Sequence, residues 1–169
     1  SFYLFDSIVE WLNIRCVSTT IPAEFQGVYD DEKYAKSQRY LKETTRFGFI
    51  QQTVTLIVVV PFILLGGFNQ LDVFVRSLEL SSLFSGVVYI LILLLGMMFM
   101  GIPFSYYSTF VIEESYGFNK STKSIFWMDF LKSMLLSFLI GIPILMAILW
   151  FFESLGSMAW VVAWGFLIF

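Results

Sequence analysis

Few residues in this chain could do chemistry, and the most conspicuous are acids. Glu113 and Glu114 stand side by side in VIEESYGFN, residues 111–119, straight after Leu80–Ile112, a run of 33 residues without a charge. Carboxylates can act as general acid or base or hold a hard cation. Adjacent helical positions point about 100° apart, so a helical Glu113–Glu114 pair does not converge on one reacting atom. Two readings follow from the residues alone. The acids cap the end of a membrane span where carboxylates reach water, or one of them lines an aqueous cavity and meets a basic or metal-bearing partner. Gly117 and Asn119 add a turn signal just behind them.

Other chemistries are excluded by residue type. The chain has no histidine and a single cysteine, Cys16. Ser–His and Cys–His pairs, an HExxH zinc site and an internal disulfide are therefore ruled out. There is no P-loop and no nucleophile elbow. No catalytic residue and no metal ligand is assigned to any position of this chain. A net charge of −3 gives no reason to expect nucleic acid as a partner.

The elements that must position Glu113 and Glu114 are apolar. The chain is 58% hydrophobic and 14% charged, against about 25% charged in a typical soluble domain. A hydrocarbon core roughly 30 Å thick needs about 20 apolar residues to cross it. Phe47–Leu71 is uncharged for 25 residues, Leu80–Ile112 for 33 and Ser133–Phe152 for 20. The expectation is an all-α, polytopic membrane domain. It has three near-complete spans at about 49–70, 83–104 and 132–152, with a truncated span at each end, 1–14 and 156–169. The N-terminus lacks the basic start and small-residue cleavage site of a signal peptide. A first residue that is not Met, and a last run without polar anchors, lead to the expectation of a piece cut from a longer protein.

Basic residues orient the spans. Arg15, Lys33, Lys36, Arg39, Lys42 and Arg46 precede the first full span, and Lys120, Lys123 and Lys132 follow the second. Only Arg76 lies in the alternate connections. The positive-inside rule then places 15–48 and 105–131, with Glu113 and Glu114, in the cytoplasm. Within 15–48, STTIPAEF suggests a turn at Pro22, and DDEKYAKSQRYLKETTRF a charged helix with Asp30 and Asp31 at its positive end. Pro61, Pro103 and Pro143 fall inside spans, where neighbouring groups can satisfy the freed carbonyls. Ser133, Ser137 and Gly141 form a small-residue ladder that would permit close helix approach.

These residues carry a resemblance. VIEESYGFN resembles the VIEE–x–x–GFN motif of the integral-membrane CAAX prenyl proteases of type 1, zinc metallopeptidases of the M48 family. Three more stretches follow the family's order. YLFDSIVEWLNIR at 3–15 resembles the end of its first span. Residues 22–47, through Pro22, Glu24, Glu32, Lys33, Tyr34, Lys36, Ser37, Tyr40 and Phe47, resemble its P-x-E … EKF-x-KS-x-x-Y … F segment. GIPFSYYSTF at 101–110 resembles its GLPWSLYNTF.

The resemblance implies the N-terminal membrane domain of such a peptidase over residues 1–169, with the catalytic zinc domain lying beyond it. The family has seven spans round a water-filled chamber, and its zinc is held by the two histidines of HExxH and a downstream glutamate. None of those residues is here, so the resemblance implies no cofactor for this chain, zinc in the parent protein and no proteolysis by the segment alone. Glu113, Glu114, Gly117, Phe118 and Asn119 match a loop on the cytosolic side, where the zinc domain lies, and are the candidate chamber-side or substrate-side residues. Implied partners are the lipid bilayer, the downstream zinc-peptidase domain, and a peptide or membrane-protein substrate, prenylated or not. The implied location is a bacterial inner membrane, or the endoplasmic reticulum in a eukaryote. The competing readings are a non-enzymatic binding or assembly module and a small transporter. The transporter reading is opposed by the absence of charge from the three full spans.

Overall fold

The computed structural model describes residues 2–18, 20, 21 and 30–168. The turn expected at Pro22, and the match at Glu24, lie outside them. Among the described residues the chain is helical, without a strand. Helix α1 spans Phe2–Cys16, α2 Asp31–Leu64, α3 Gly67–Arg76 and α4 Ser82–Tyr107. A π-helical segment, Ser108–Glu113, continues α4; α5 spans Lys123–Leu155 and, after a 3-10 turn at Gly156–Met158, α6 spans Ala159–Ile168.

Among the described residues three helical runs are long and apolar enough to cross a membrane: Asp31–Leu64, Ser82–Glu113 and Lys123–Gly165. Their side chains fit such a solvent. Among the described residues only Ile21, Val75, Val87, Ile112 and Ala159 are buried apolar residues, while Leu64 is 79% and Leu139 74% exposed. Apolar surface on this scale marks contact with a membrane or with other protein.

The division of α2 follows from its length. Its 34 residues extend about 50 Å at 1.5 Å per residue, well beyond a hydrocarbon core of about 30 Å. All its charges fall within Asp31–Arg46, and Phe47–Leu64 has none. Asp30 starts the helix, its Oδ1 accepting from Glu32 N at 3.0 Å and Lys33 N at 3.1 Å, which satisfies two otherwise unpaired amides. In the apolar part, Thr53 and Thr55 donate to the carbonyls of Phe49 and Gln51 at 2.7 and 2.9 Å. Their hydroxyls thus enter lipid already bonded.

The uncharged run 47–71 is not one helix. It breaks at Leu65–Gly66, where Gly66 adopts φ 72, a conformation glycine tolerates without a Cβ clash. Gln70 Nε2 donates to the Leu65 carbonyl at 3.0 Å across the break.

The molecule comprises two compact units, Ser1–Pro61 with Met100–Lys120 and Phe62–Phe99 with Ser121–Phe169. In the second unit α4 and α5 approach closely at Gly86, where an added Cβ would lie 3.1 Å from Leu149 Cδ1. The Ser133–Ser137–Gly141 ladder is not that contact. Gly141 has no neighbour within 4 Å of a Cβ position, and Ser137 and Gly141 instead line an apolar cavity of 440 Å³. The first unit contains VIEESYGFN and α2's charged half.

Candidate functional site

The loop behind Glu113 and Glu114 is a helix stop built around Gly117. Gly117, at φ 67, donates its N–H to the Glu114 carbonyl at 3.0 Å, and Phe118 N–H reaches back to the Glu113 carbonyl at 2.8 Å. This is the paired closure of a Schellman motif, which ties up carbonyls a helix end would leave unpaired. Ser115 Oγ donates to the Ile112 carbonyl at 2.7 Å. Thr122 then opens α5, its hydroxyl accepting from Ile125 N at 3.2 Å.

The two acids separate. Glu114 accepts from Asn119 Nδ2 at 2.8 Å, a contact that braces the loop. Glu113 faces a cavity of 380 Å³ between α2 and the C-terminal end of α4. The π-helical segment is the cause. In an α-helix Ser108 and Glu113 would stand about 140° apart, at about 100° per residue. The wider turn of a π-helix swings positions five apart closer together, and Ser108, Thr109 and Glu113 share the lining. Ile112, fully buried at 0% exposure, fixes the segment in place.

The opposite wall is one stripe of α2. Lys36, Tyr40, Glu43, Phe47 and Gln51 follow at intervals of four, three, four and four, the spacing of a single helical face. Its N-terminal end grips the loop. Tyr116 Oη donates to Glu43 Oε2 at 2.7 Å. Tyr40 meets the Tyr116 and Phe118 rings edge-on at 5.4 and 5.0 Å, favoured aromatic geometries. Lys36 Nζ sits 5.3 Å from the Phe118 centroid, within cation–π range. The bond to the Glu43 carboxylate raises the Tyr116 hydroxyl above its ordinary pKa, with smaller contributions from burial and the Glu43 charge and a partial offset from Arg39. The other end lines the cavity. There Phe47 stacks on Tyr107 at 4.9 Å, while Thr44, Gln51 and Ser105 add polar groups. Gly48 and Gly101 leave open space, with nothing within 4 Å of an added Cβ.

All five candidate residues are therefore in one place, with different tasks. Gly117 turns the backbone, Asn119 holds Glu114, Phe118 packs on Tyr40, and Glu113 enters the cavity. Tyr116 and Glu43 carry no motif of their own and escape sequence reasoning. The periodic stripe on α2 is the signal that could have found Glu43. A zinc site does not fit the described residues. Among the described residues no three of His, Cys, Asp and Glu converge, and the Glu113 cavity offers one carboxylate among its described lining residues.

Comparison with known proteins adds to this geometry. The family described as "CAAX prenyl protease N-terminal, five membrane helices" matches residues 11–169. A CAAX prenyl protease 1 homolog of Oryza sativa subsp. japonica is 32% identical over 98% of this chain and 41% of its own length. One from Homo sapiens is 28% identical over 97% of this chain and 36% of its own length. The crystal structure of S. mikatae Ste24p superposes with a TM-score of 0.85 and 26% identity, covering 98% of this chain and 41% of that one. The chain thus spans about two fifths of the length of the first of these relatives.

Proposed function

Since the chain belongs to the CAAX prenyl protease N-terminal family, and is a multi-pass integral membrane protein, we propose that it is the membrane part of a zinc metalloendopeptidase. In this reading α2, α4 and the 113–119 loop form one wall of the chamber and guide substrate toward a zinc domain supplied by the rest of the parent protein. Residues 1–169 alone do not hydrolyse peptides. The observation that supports this most is the arrangement at the end of α4: of the two acids that resemble the family's motif, one, Glu113, borders a polar cavity within a largely apolar helical wall. The substrate is a peptide or membrane protein, prenylated or not. The basic ends of the spans, with the loop, face the cytoplasm of a bacterial inner membrane or of the endoplasmic reticulum.

The chain contributes no zinc ligand, so no step of hydrolysis is assigned to its residues. What they do is bind and orient: Glu113 supplies charge at the wall, and the Tyr116–Glu43 contact holds the loop against α2. The test is proteolysis by the full-length protein in liposomes. Cleavage of a membrane-anchored peptide that stops on zinc chelation and returns on zinc addition is expected. A full-length protein without endoproteolytic activity, and without an HExxH beyond residue 169, would leave the non-enzymatic assembly module as the better reading.

A further inference from the structure

Among the described residues three acids stand near the end of α4, and two are already engaged. Glu43 accepts from Tyr116, and Glu114 accepts from Asn119. The Glu113 side chain has no hydrogen-bond or ion-pair partner among the described residues, is half-buried and borders the 380 Å³ cavity. It is the only ionisable group among the described lining residues; Thr44, Gln51, Ser105, Ser108 and Thr109 add neutral oxygens that can accept hydrogen bonds. The cations on α2's charged half, including Lys36 and Arg39, do not line it. A carboxylate without a protein partner at a cavity wall is free to accept charge-assisted hydrogen bonds from a cationic donor.

We infer that the Glu113 cavity is a subsite for one basic side chain of a peptide, an alkylammonium or guanidinium group. An ammonium has three donors and no acceptor, and a guanidinium five donors and none, so both suit a lining of acceptors around one negative charge. The cavity lies within the size range of small-ligand pockets, about 300–1,000 Å³, and the open space at Gly48 and Gly101 leaves room for the aliphatic stem. The inference names a substrate feature for the peptidase reading and rests on it for the source of the peptide, but the binding itself requires no hydrolysis.

The test uses full-length protein in detergent and two fluorescein-labelled peptides identical except that one lysine is replaced by norleucine, which keeps the stem and removes the charge. Fluorescence anisotropy reads binding, and chromatography reads cleavage separately. The lysine peptide is expected to bind about ten-fold tighter, the scale of one charge-assisted hydrogen bond. Glu113→Gln should erase that preference, and Glu113→Asp should restore part of it. Equal affinities in the unmodified protein, or a preference that survives Glu113→Gln, would overturn the inference. If Glu113→Gln does not fold, the unmodified protein and Glu113→Asp still decide, because a preference absent from the first or undiminished by the shorter arm counts against it. A lysine preference without cleavage of either peptide would uphold the subsite and contradict the peptidase reading instead.

Discussion

Tyr116 and Glu43 lie 73 positions apart in sequence and share a hydrogen bond of 2.7 Å. The bond joins the loop after α4 to the charged half of α2. It explains how a short turn at the end of an apolar helix keeps a defined shape: one residue holds α2 through its hydroxyl while its neighbour Phe118 packs on Tyr40 at 5.0 Å.

The contact carries a pH signature. Because Glu43 raises the Tyr116 pKa, the protonated hydroxyl is favoured in the folded state. The contribution is complete below the ordinary tyrosine value of about 10 and is lost as pH rises through the higher folded value. The difference between tyrosinate titrations of the unmodified protein and of Tyr116→Phe should show a midpoint above about 10, and Glu43→Gln should bring it down. Tyr116→Phe should cost no more than about 1 kcal/mol, since the pair is open to solvent, and should speed amide exchange at residues 115–119.

Gly117 is a backbone requirement. At φ 67 a Cβ brings strain of about 1–2 kcal/mol. Gly117→Ala should lower thermal stability in detergent by that amount, and Gly117→Asn by less because asparagine tolerates the left-handed region better. Equal stability of both variants with the unmodified protein would show that the loop does not depend on the Schellman closure.

Glu113 and Asn119 separate function from folding. In the full-length protein Glu113→Ala and Asn119→Ala should reduce proteolysis about ten-fold, the scale of losing one charged hydrogen bond, with membrane insertion close to unchanged. Protease protection of the connecting segments reads insertion, and peptide cleavage reads activity. Wild-type activity in both variants would return the acids to the simpler role of capping a span.

Much of the fold was legible. Charge-free runs of at least 20 residues identify an all-α membrane chain with three long apolar helices, because lipid demands internally satisfied backbones of a fixed minimum length. The break at Leu65–Gly66 was not legible within the uncharged run 47–71, since an apolar glycine pair also fits inside a membrane helix. Nor was the π-helical segment: STFVIE carries no local signal for an i→i+5 repeat, yet that repeat assigns Glu113 and Glu114 different tasks. The Tyr116–Glu43 bond depends on α2 and α4 being packed together, which spacing along one chain does not reveal.

Helix packing in the second unit offers a control away from the site. Gly86 is where α4 meets Leu149 of α5, at 3.1 Å from an added Cβ. Gly86→Leu should overpack this contact and destabilise by about 1–3 kcal/mol. Gly141→Ala, with open space beside it, should be neutral or slightly stabilising through helix propensity. Thermal unfolding in detergent distinguishes the two, and the reverse order would contradict the assigned contact.

Photo-cross-linking in the full-length protein shows most directly whether the 113–119 loop faces the substrate. A benzophenone amino acid replaces Phe118 in one variant and the exposed Val73 of α3 in another, and each is irradiated with a labelled peptide substrate. A peptide adduct is expected from position 118 and none from position 73. Adducts from position 73 alone, or equal yields from both, would contradict it.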